Sequence, residues 1–471
     1  MADINQKPHL QKIQNNALRP GNFNTAGYLP IETPFAKKSE KKVQSSSPPS
    51  GGFTSRGVPA KAKEVLNNVA NKAKSLLQIE KSGKMLFFFL LFWFIIMYIS
   101  KKLAKNSYNC TEIQKNRFIG KNDVNSFYSI NDSINNSYFN DTLTINGSPI
   151  KYEYKLKDFY IKTAYNAFCS GEFRNDYVNQ CALNNCASFG VRAIDMQLFS
   201  VDTVPTIASS SMNVNTFKES YNGISFKDGL SMINQSFFTN NDFEQGGTET
   251  VKNNLKEDPL FLILRLHYGN DPQSNLNETN TTITTNKTTF YNKIYTALTN
   301  QFDVSKFAST QLKIIYGTDY DREINTPNIP MSSTKNTIFV FVIINEPNYD
   351  IMKQSKLDSI VDLYGDNFIH YRINESSDSN NSFNINQYNS QNALMYSMPA
   401  WGASNSNYDF TTPMKNGTQF IGMNFQNYDT YLDYYNGIFI SQYGPSTNTI
   451  TSPYIKKPAS MISLPISVTV S

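Results

Sequence analysis

The stretch KMLFFFLLFWFIIMYISKK, residues 84–102, constrains this chain more than any other. Residues 85–99 are uncharged and nearly all apolar. As a helix rising 1.5 Å per residue they reach about 22 Å, short of a hydrocarbon core about 30 Å thick. Lys84, Lys101 and Lys102 can snorkel to extend the span, and Trp93 and Tyr98 suit its ends. A span this short fits a thin bilayer such as that of the endoplasmic reticulum. The rival reading is a buried core helix, against which stand the lysine flanks and the lack of a second such run. A cleaved signal peptide is disfavoured, because the run begins 84 residues in and no small-residue cleavage site follows. The sequence therefore predicts a single transmembrane signal-anchor helix over 84–101.

Flanking charge does not orient it. Lys72, Lys74, Lys81 and Lys84 precede the run, and Lys101, Lys102, Lys105, Lys115 and Arg117 follow it. Cysteines are more informative. All four, Cys110, Cys169, Cys181 and Cys186, follow the run, as two disulfides in an oxidising lumen would require. Three pairings are open, and spacing does not choose among them. Metal binding is the rival use, but Cys181 and Cys186 lack CxxC spacing and no histidine is near. Glycosylation sequons at Asn109, Asn140, Asn286 and Asn416 also follow the run. The expected topology is an N-terminus in the cytosol or virion interior, with the body in the lumen, outside the cell or on a virion exterior.

Charge divides at the same place. Residues 1–84 hold 14 Lys and Arg against 5 Asp and Glu, a net +9, and the remainder holds 29 against 33, a net −4. Residues 1–57, with KKSEKKVQSSSPPSGG, read as a disordered basic tail. Over 58–83, Val65, Leu66, Val69, Ala73, Leu76 and Leu77 recur at helical spacing among lysines, predicting a basic amphipathic helix. Such a tail and helix would meet anionic lipid or, in a virion, the underlying capsid. No nucleic-acid partner is expected. Residues 102–150, Asn- and Ser-rich, read as a stalk or small cap.

From 151 to about 465 short apolar runs alternate with helical pieces. FYIKTAY, GVRAIDMQLF, PLFLILRLHY, LKIIYG, NTIFVFVII, NFIHYR and QFIGMNFQ read as buried strands, and TFYNKIYTALTNQF as a helix between two of them. This α/β pattern predicts a (β/α)8 TIM-like barrel. A doubly wound sheet is the alternative, but no Gly-rich phosphate loop opens any unit.

Four stretches in order, FYIKTAYNAF, GVRAIDMQLFSVDTVPTIASSS, DPLFLILRLHY and TQFIGMNFQNYDTYLDYYNGIF with SPYIKKP after it, resemble the phosphatidylinositol-specific phospholipase C domain over about 155–460. The form most resembles the divergent versions of large DNA viruses. That resemblance implies a phosphodiesterase whose two histidines act as general base and acid, with an arginine or calcium ion offsetting phosphate charge. Carried across, the first histidine falls on Tyr165 and the second on Ser209. The calcium-ligating asparagine is retained as Asn166, and the acid of the second strand as Asp195. Gln197 stands where the family has a second acid or an arginine, and His267 falls near a metal-binding glutamate. With both imidazoles replaced, the sequence predicts no catalytic residue and no cofactor, since Asn166 and Asp195 are too few oxygen ligands for calcium. Tyr165, Asn166, Asp195, Gln197, Ser209 and His267 define the candidate cleft. Arg192 is expected to pair with a carboxylate.

Three functions fit. The first is a membrane-tethered, catalytically inactive barrel binding a protein, glycan or headgroup ligand. The second is an altered phosphodiesterase using Tyr165, Asp195 and His267. The third, compatible with the first, is a structural envelope protein of a large DNA virus.

Overall fold

The computed structural model describes residues 80–117 and, with internal gaps, 139–458, together with Glu64, Asn67, Asn68 and Tyr128. The predicted tail over 1–57 and nearly all of the predicted helix over 58–83 lie outside the described residues. The chain divides into two compact units, residues 1–103 and 104–471.

In the first unit the described residues are almost all helix. Helix α1 (Glu80–Arg117) starts here and continues past the division. Its segment Met85–Lys115 is long and apolar enough to cross a membrane, with mean hydropathy 1.9 and none of its most apolar window buried. From Met85 to Ile99 every large apolar side chain is exposed.

In the second unit residues 104–117 continue α1 and are fastened to the body. Cys110 is disulfide-bonded to Cys181. Lys105 and Asn109 both reach Asp176, at 2.7 Å each, and Asp176 is almost fully buried. This part of the expected stalk is thus helix docked on the body. The two-disulfide expectation is corrected: Cys169 and Cys186 are free thiols. Burial pushes the Cys169 thiol up to about 12 and raises that of Cys186 as well. An antiparallel hairpin, Asn140–Ile145 with Ser148–Glu153, precedes the main sheet.

That sheet contains eight parallel strands. They are β1 (Phe159–Ala164), β2 (Ala193–Val201), β3 (Leu260–His267), β4 (Ile338–Ile344), β5 (Leu363–Tyr364), β6 (Ile369–Arg372), β7 (Met395–Met398) and β8 (Phe420–Met423). They pair in the order β5-β4-β3-β2-β1-β8-β7-β6. The first and last strands are therefore neighbours, as in a barrel. The path stops at β5 and β6, which no ladder joins among the described residues, although only residues 365–368 separate them in the chain. Hydrogen bonding thus does not complete the predicted eight-stranded closure.

Strands such as LFLILRLH and IFVFVII are buried along their whole length, because both sheet faces are covered and no polar alternation is needed. Between β1 and β2 lies α2 (Gln180–Ser188), capped by Asn179. Between β2 and β3 lies α3 (Phe226–Phe237), capped by Ser225, whose hydroxyl accepts the Asp228 amide and donates to the Asp228 carboxylate. Helices α4 (Asn280–Gln301), α5 (Ala308–Tyr316) and α6 (Arg322–Asn328) separate β3 from β4. Helix α7 (Thr430–Ile438) follows β8.

LKIIYG, read as a strand, is the end of α5. Ala308 and Leu312 bury one helical face, Ile314 and Ile315 face out, and Gly317 ends the helix at φ +93°. Beta-branched composition there yields to the need for a crossover between parallel strands.

Phe261, Phe339, Phe341, Phe368 and Phe420 stack with centroids 4.7–6.2 Å apart and form an aromatic floor. Gly422 leaves room for the next layer, since a Cβ there would meet the Tyr396 ring at 3.0 Å. Beyond this floor, toward the carboxyl ends of the strands, the packing turns polar.

Candidate active site at the strand ends

At the end of β1 the chain turns sharply at Asn166, whose φ of +45° is left-handed. Asparagine tolerates this conformation better than most residues. The turn aims the Asn166 backbone N–H at Asp195 Oδ1, 2.9 Å away on β2. Gln197, two residues further along β2, lies in register with Arg265 on β3. Side chains at this period share a face, so Asp195, Gln197, Arg265 and His267 all belong to the same end of the sheet interior.

Arg265 organises the group. Its Nε donates to Asp195 Oδ2 at 2.7 Å and its Nη2 to Asp195 Oδ1 at 2.6 Å, a bidentate pair. The same Nη2 donates to Asn166 Oδ1 at 2.5 Å, and Nη1 donates to the Tyr165 hydroxyl at 3.2 Å. Gln197 Nε2 adds a donor to Asn166 Oδ1 at 3.1 Å and another to the Ser210 carbonyl at 3.2 Å. Both Arg265 and Asp195 are buried, with side-chain exposures of 4% and 0%. Burial opposes the guanidinium charge, but Asp195 and then Tyr165 outweigh it and raise its pKa above the usual arginine value. Over the floor of phenylalanines this pairing is obligatory for both partners, because either charge alone would be stranded.

A second arginine closes the rim. Arg372, at the end of β6, donates through Nη1 to the Tyr165 hydroxyl at 3.2 Å and to the Pro399 carbonyl at 2.7 Å. Its guanidinium lies 3.2 Å from the centre of the Trp401 ring. Tyr165 is thus an acceptor for two cations, with Phe173 edge-on to its ring. Counting Arg265, Arg372 and Asp195, the mouth carries one net positive charge.

The structure brings Tyr165, Asn166, Asp195 and Gln197 together through Arg265. Ser209 and His267 stand outside this network. Ser209 donates to the Phe173 carbonyl at 3.0 Å. His267 is stacked on Phe199 at 4.7 Å. Burial, then the charges of Arg265 and Arg372, bring the His267 pKa down to about 3. It is therefore neutral near pH 7, and its Nε2 has no partner among the described residues. Asn166 Nδ2, Gln197 Oε1 and the Tyr396 hydroxyl are likewise buried without a partner among the described residues.

The residues do not fit calcium. Both Asp195 oxygens and the Asn166 side-chain oxygen are engaged by Arg265. Among the described residues no group of three or more His, Cys, Asp or Glu is placed to hold a metal ion.

Two arginines were missed from sequence. Neither Arg265, paired with Asp195, nor Arg372, bonded to Tyr165 and Pro399, was among the candidate residues read from sequence. A lone arginine inside LFLILRLH was the available signal, since a buried charge needs a buried partner. Arg192, expected to pair with a carboxylate, instead donates to the backbone carbonyls of Pro259 and Asp258. Of the sequons, Asn109 spends its amide on Asp176, Asn286 lies within α4, and Asn416 caps a short helix beside the buried Thr418. Asn140 is exposed.

No protein-family model and no curated protein matches the chain. Among solved structures it is similar to PLC21 of S. officinalis and PLC21 of L. pealei, each at 13% identity, with TM-scores of 0.44 and 0.41 and 67% of this chain covered. It is also similar to the calcium-dependent phosphoinositol-specific phospholipase C of the Gram-negative bacterium Pseudomonas sp., at 10% identity and TM-score 0.32, covering 58% of this chain and 90% of that one. The chain spans 38% of the length of the two PLC21 structures.

Proposed function

We propose that this chain is a membrane-anchored, phospholipase C-like barrel that does not cleave phosphodiesters and serves as a binding or structural element. The observation that carries this reading is the state of the two positions where the resemblance puts the acid–base histidines: Tyr165 accepts from Arg265 and Arg372, and Ser209 donates to the Phe173 carbonyl. General acid–base catalysis needs a group that exchanges protons near the working pH. His267 stays neutral there, and Tyr165 accepts hydrogen bonds from two arginines.

The helix over Met85–Lys115 supports an anchor, and the Cys110–Cys181 disulfide supports an oxidising compartment for the body. With it goes a cytosolic or virion-interior N-terminus whose basic tail meets anionic lipid or capsid. The net positive charge of Arg265, Arg372 and Asp195 supports an anionic headgroup or acidic partner as ligand. A structural role in the envelope of a large DNA virus is compatible with all of this. Asn140, being exposed, is the sequon best presented for a glycan.

The test is phosphatidylinositol hydrolysis by the full chain in lipid nanodiscs, with and without calcium, beside a Tyr165→Phe, Asp195→Asn, His267→Ala triple variant. Equal background rates in all arms are expected. Turnover by the native chain that the triple variant abolishes would establish an altered phosphodiesterase instead.

A further inference from the structure

The cysteines of this chain fall into two kinds. Cys169 and Cys186 are buried thiols, whereas Cys110 and Cys181, joined by the disulfide, are both partly exposed. Thiol–disulfide exchange needs access to a sulfur, and this bond has it. Cys181 is the second residue of α2, whose cap Asn179 accepts the Cys181 amide at 2.9 Å. A thiolate released in the first turn of a helix meets the positive end of the peptide dipoles and leaves readily.

The bond fastens residues 104–117 of α1, and the other fastenings are mostly polar. Lys105 pairs with Asp176 and donates to the Asn175 carbonyl at 3.3 Å. Asn109 donates to Asp176, and the Asn179 amide donates to the Asn106 side-chain oxygen at 3.1 Å. Ile113 is the one fully buried side chain among the described residues of this segment. Polar contacts made by partly exposed side chains exchange for water at little net cost. The body does not depend on them either. Asp176 also accepts the Glu172 and Tyr177 amides, each at 3.0 Å, and Asn179 caps α2 without help from α1. Departure of the helix end opens Asp176 to water and strands no charge. The covalent bond therefore decides whether the segment stays docked.

We propose that Cys110–Cys181 is a site of thiol–disulfide exchange with a dithiol partner of the CxxC kind, and that its opening releases residues 104–117 from the body. One thiolate of the partner attacks Cys110 Sγ, the S–S bond breaks, and Cys181 leaves as a thiolate that takes a proton from solvent. The partner's second thiolate then attacks its own sulfur in the mixed disulfide and expels Cys110, which is protonated in turn. The partner is oxidised to a disulfide and this chain is reduced by two electrons to two thiols. Cys169 and Cys186 take no part, because both are buried. The site requires neither a ligand at the mouth nor a membrane.

Dithiothreitol, a small dithiol, tests this when added to the full chain in detergent micelles without denaturant. About 1 mM is expected to open the bond within minutes. Maleimide labelling read by mass spectrometry should then find Cys110 and Cys181 modified, and Cys169 and Cys186 unmodified. Amide hydrogen exchange over 104–117 should rise roughly tenfold or more, while that of β1 to β4 stays as it was. The double variant Cys110→Ser, Cys181→Ser should show the faster exchange with no reductant present. The proposal fails if the bond opens only in denaturant, if exchange over 104–117 is unchanged on reduction, or if all four cysteines label together. It also fails if the folded double variant exchanges as slowly as the oxidised chain. Should that variant not fold, the reduced native chain alone decides.

Discussion

His267 lies flat against Phe199 at the end of β3, and its environment, more than its residue type, decides what it does. Its pKa is about 3 when folded and near 6.5 when unfolded. Between those values the unfolded chain binds the extra proton, so stability falls as pH drops from 6.5 toward 3. Denaturant melts at pH 7 and pH 5 should show a loss of about 2 kcal/mol from this group, absent in His267→Leu. Lys162, buried on β1 and donating to the Phe189 carbonyl, adds a slope in another window. Burial brings its pKa down to about 7. Between pH 7 and about 10 the unfolded lysine keeps a proton that the folded one has lost, so stability rises with pH there. Lys162→Met should be more stable at pH 7 and should flatten that rise. Asn166, Asp195 and Gln197 were legible in sequence as neighbours. The partner that joins them was not, because strand patterning says which face a residue takes but not which charge it meets across the sheet.

At the scale of elements, long uniformly apolar strands were readable because full burial leaves little ambiguity. FYIKTAY, PLFLILRLHY and NTIFVFVII all contain strands of the main sheet. Some short pieces were read, Ile369–Arg372 in NFIHYR and Phe420–Met423 in QFIGMNFQ, and others were not. Leu363–Tyr364 and Met395–Met398 are too brief to show a period. LKIIYG went the other way, because packing overrode propensity. The end of α1 was also hidden, since nothing in the residues after 103 says that they dock on the body. There the covalent tie matters most. Cys110–Cys181 spans 71 residues, and closing a loop of that size restricts the unfolded chain by roughly 4 kcal/mol. Cys110→Ser with Cys181→Ser should lower the denaturation midpoint accordingly without altering the free thiols Cys169 and Cys186, as thiol titration of the unfolded protein would count.

For the molecule as a whole, a parallel sheet carries every strand's carboxyl end to one mouth, where ligands of such folds bind. Here that mouth holds a buried ion pair, Arg265–Asp195, in which each group is the partner that keeps the other's charge from being stranded. The direct measurement is a double-mutant cycle of unfolding free energies over Asp195→Asn and Arg265→Met. Each single change should cost about 3–5 kcal/mol by stranding the other charge, and the double variant should recover at least about 2 kcal/mol of their sum. Costs that simply add would mean that the two groups do not hold each other, and would contradict that pairing.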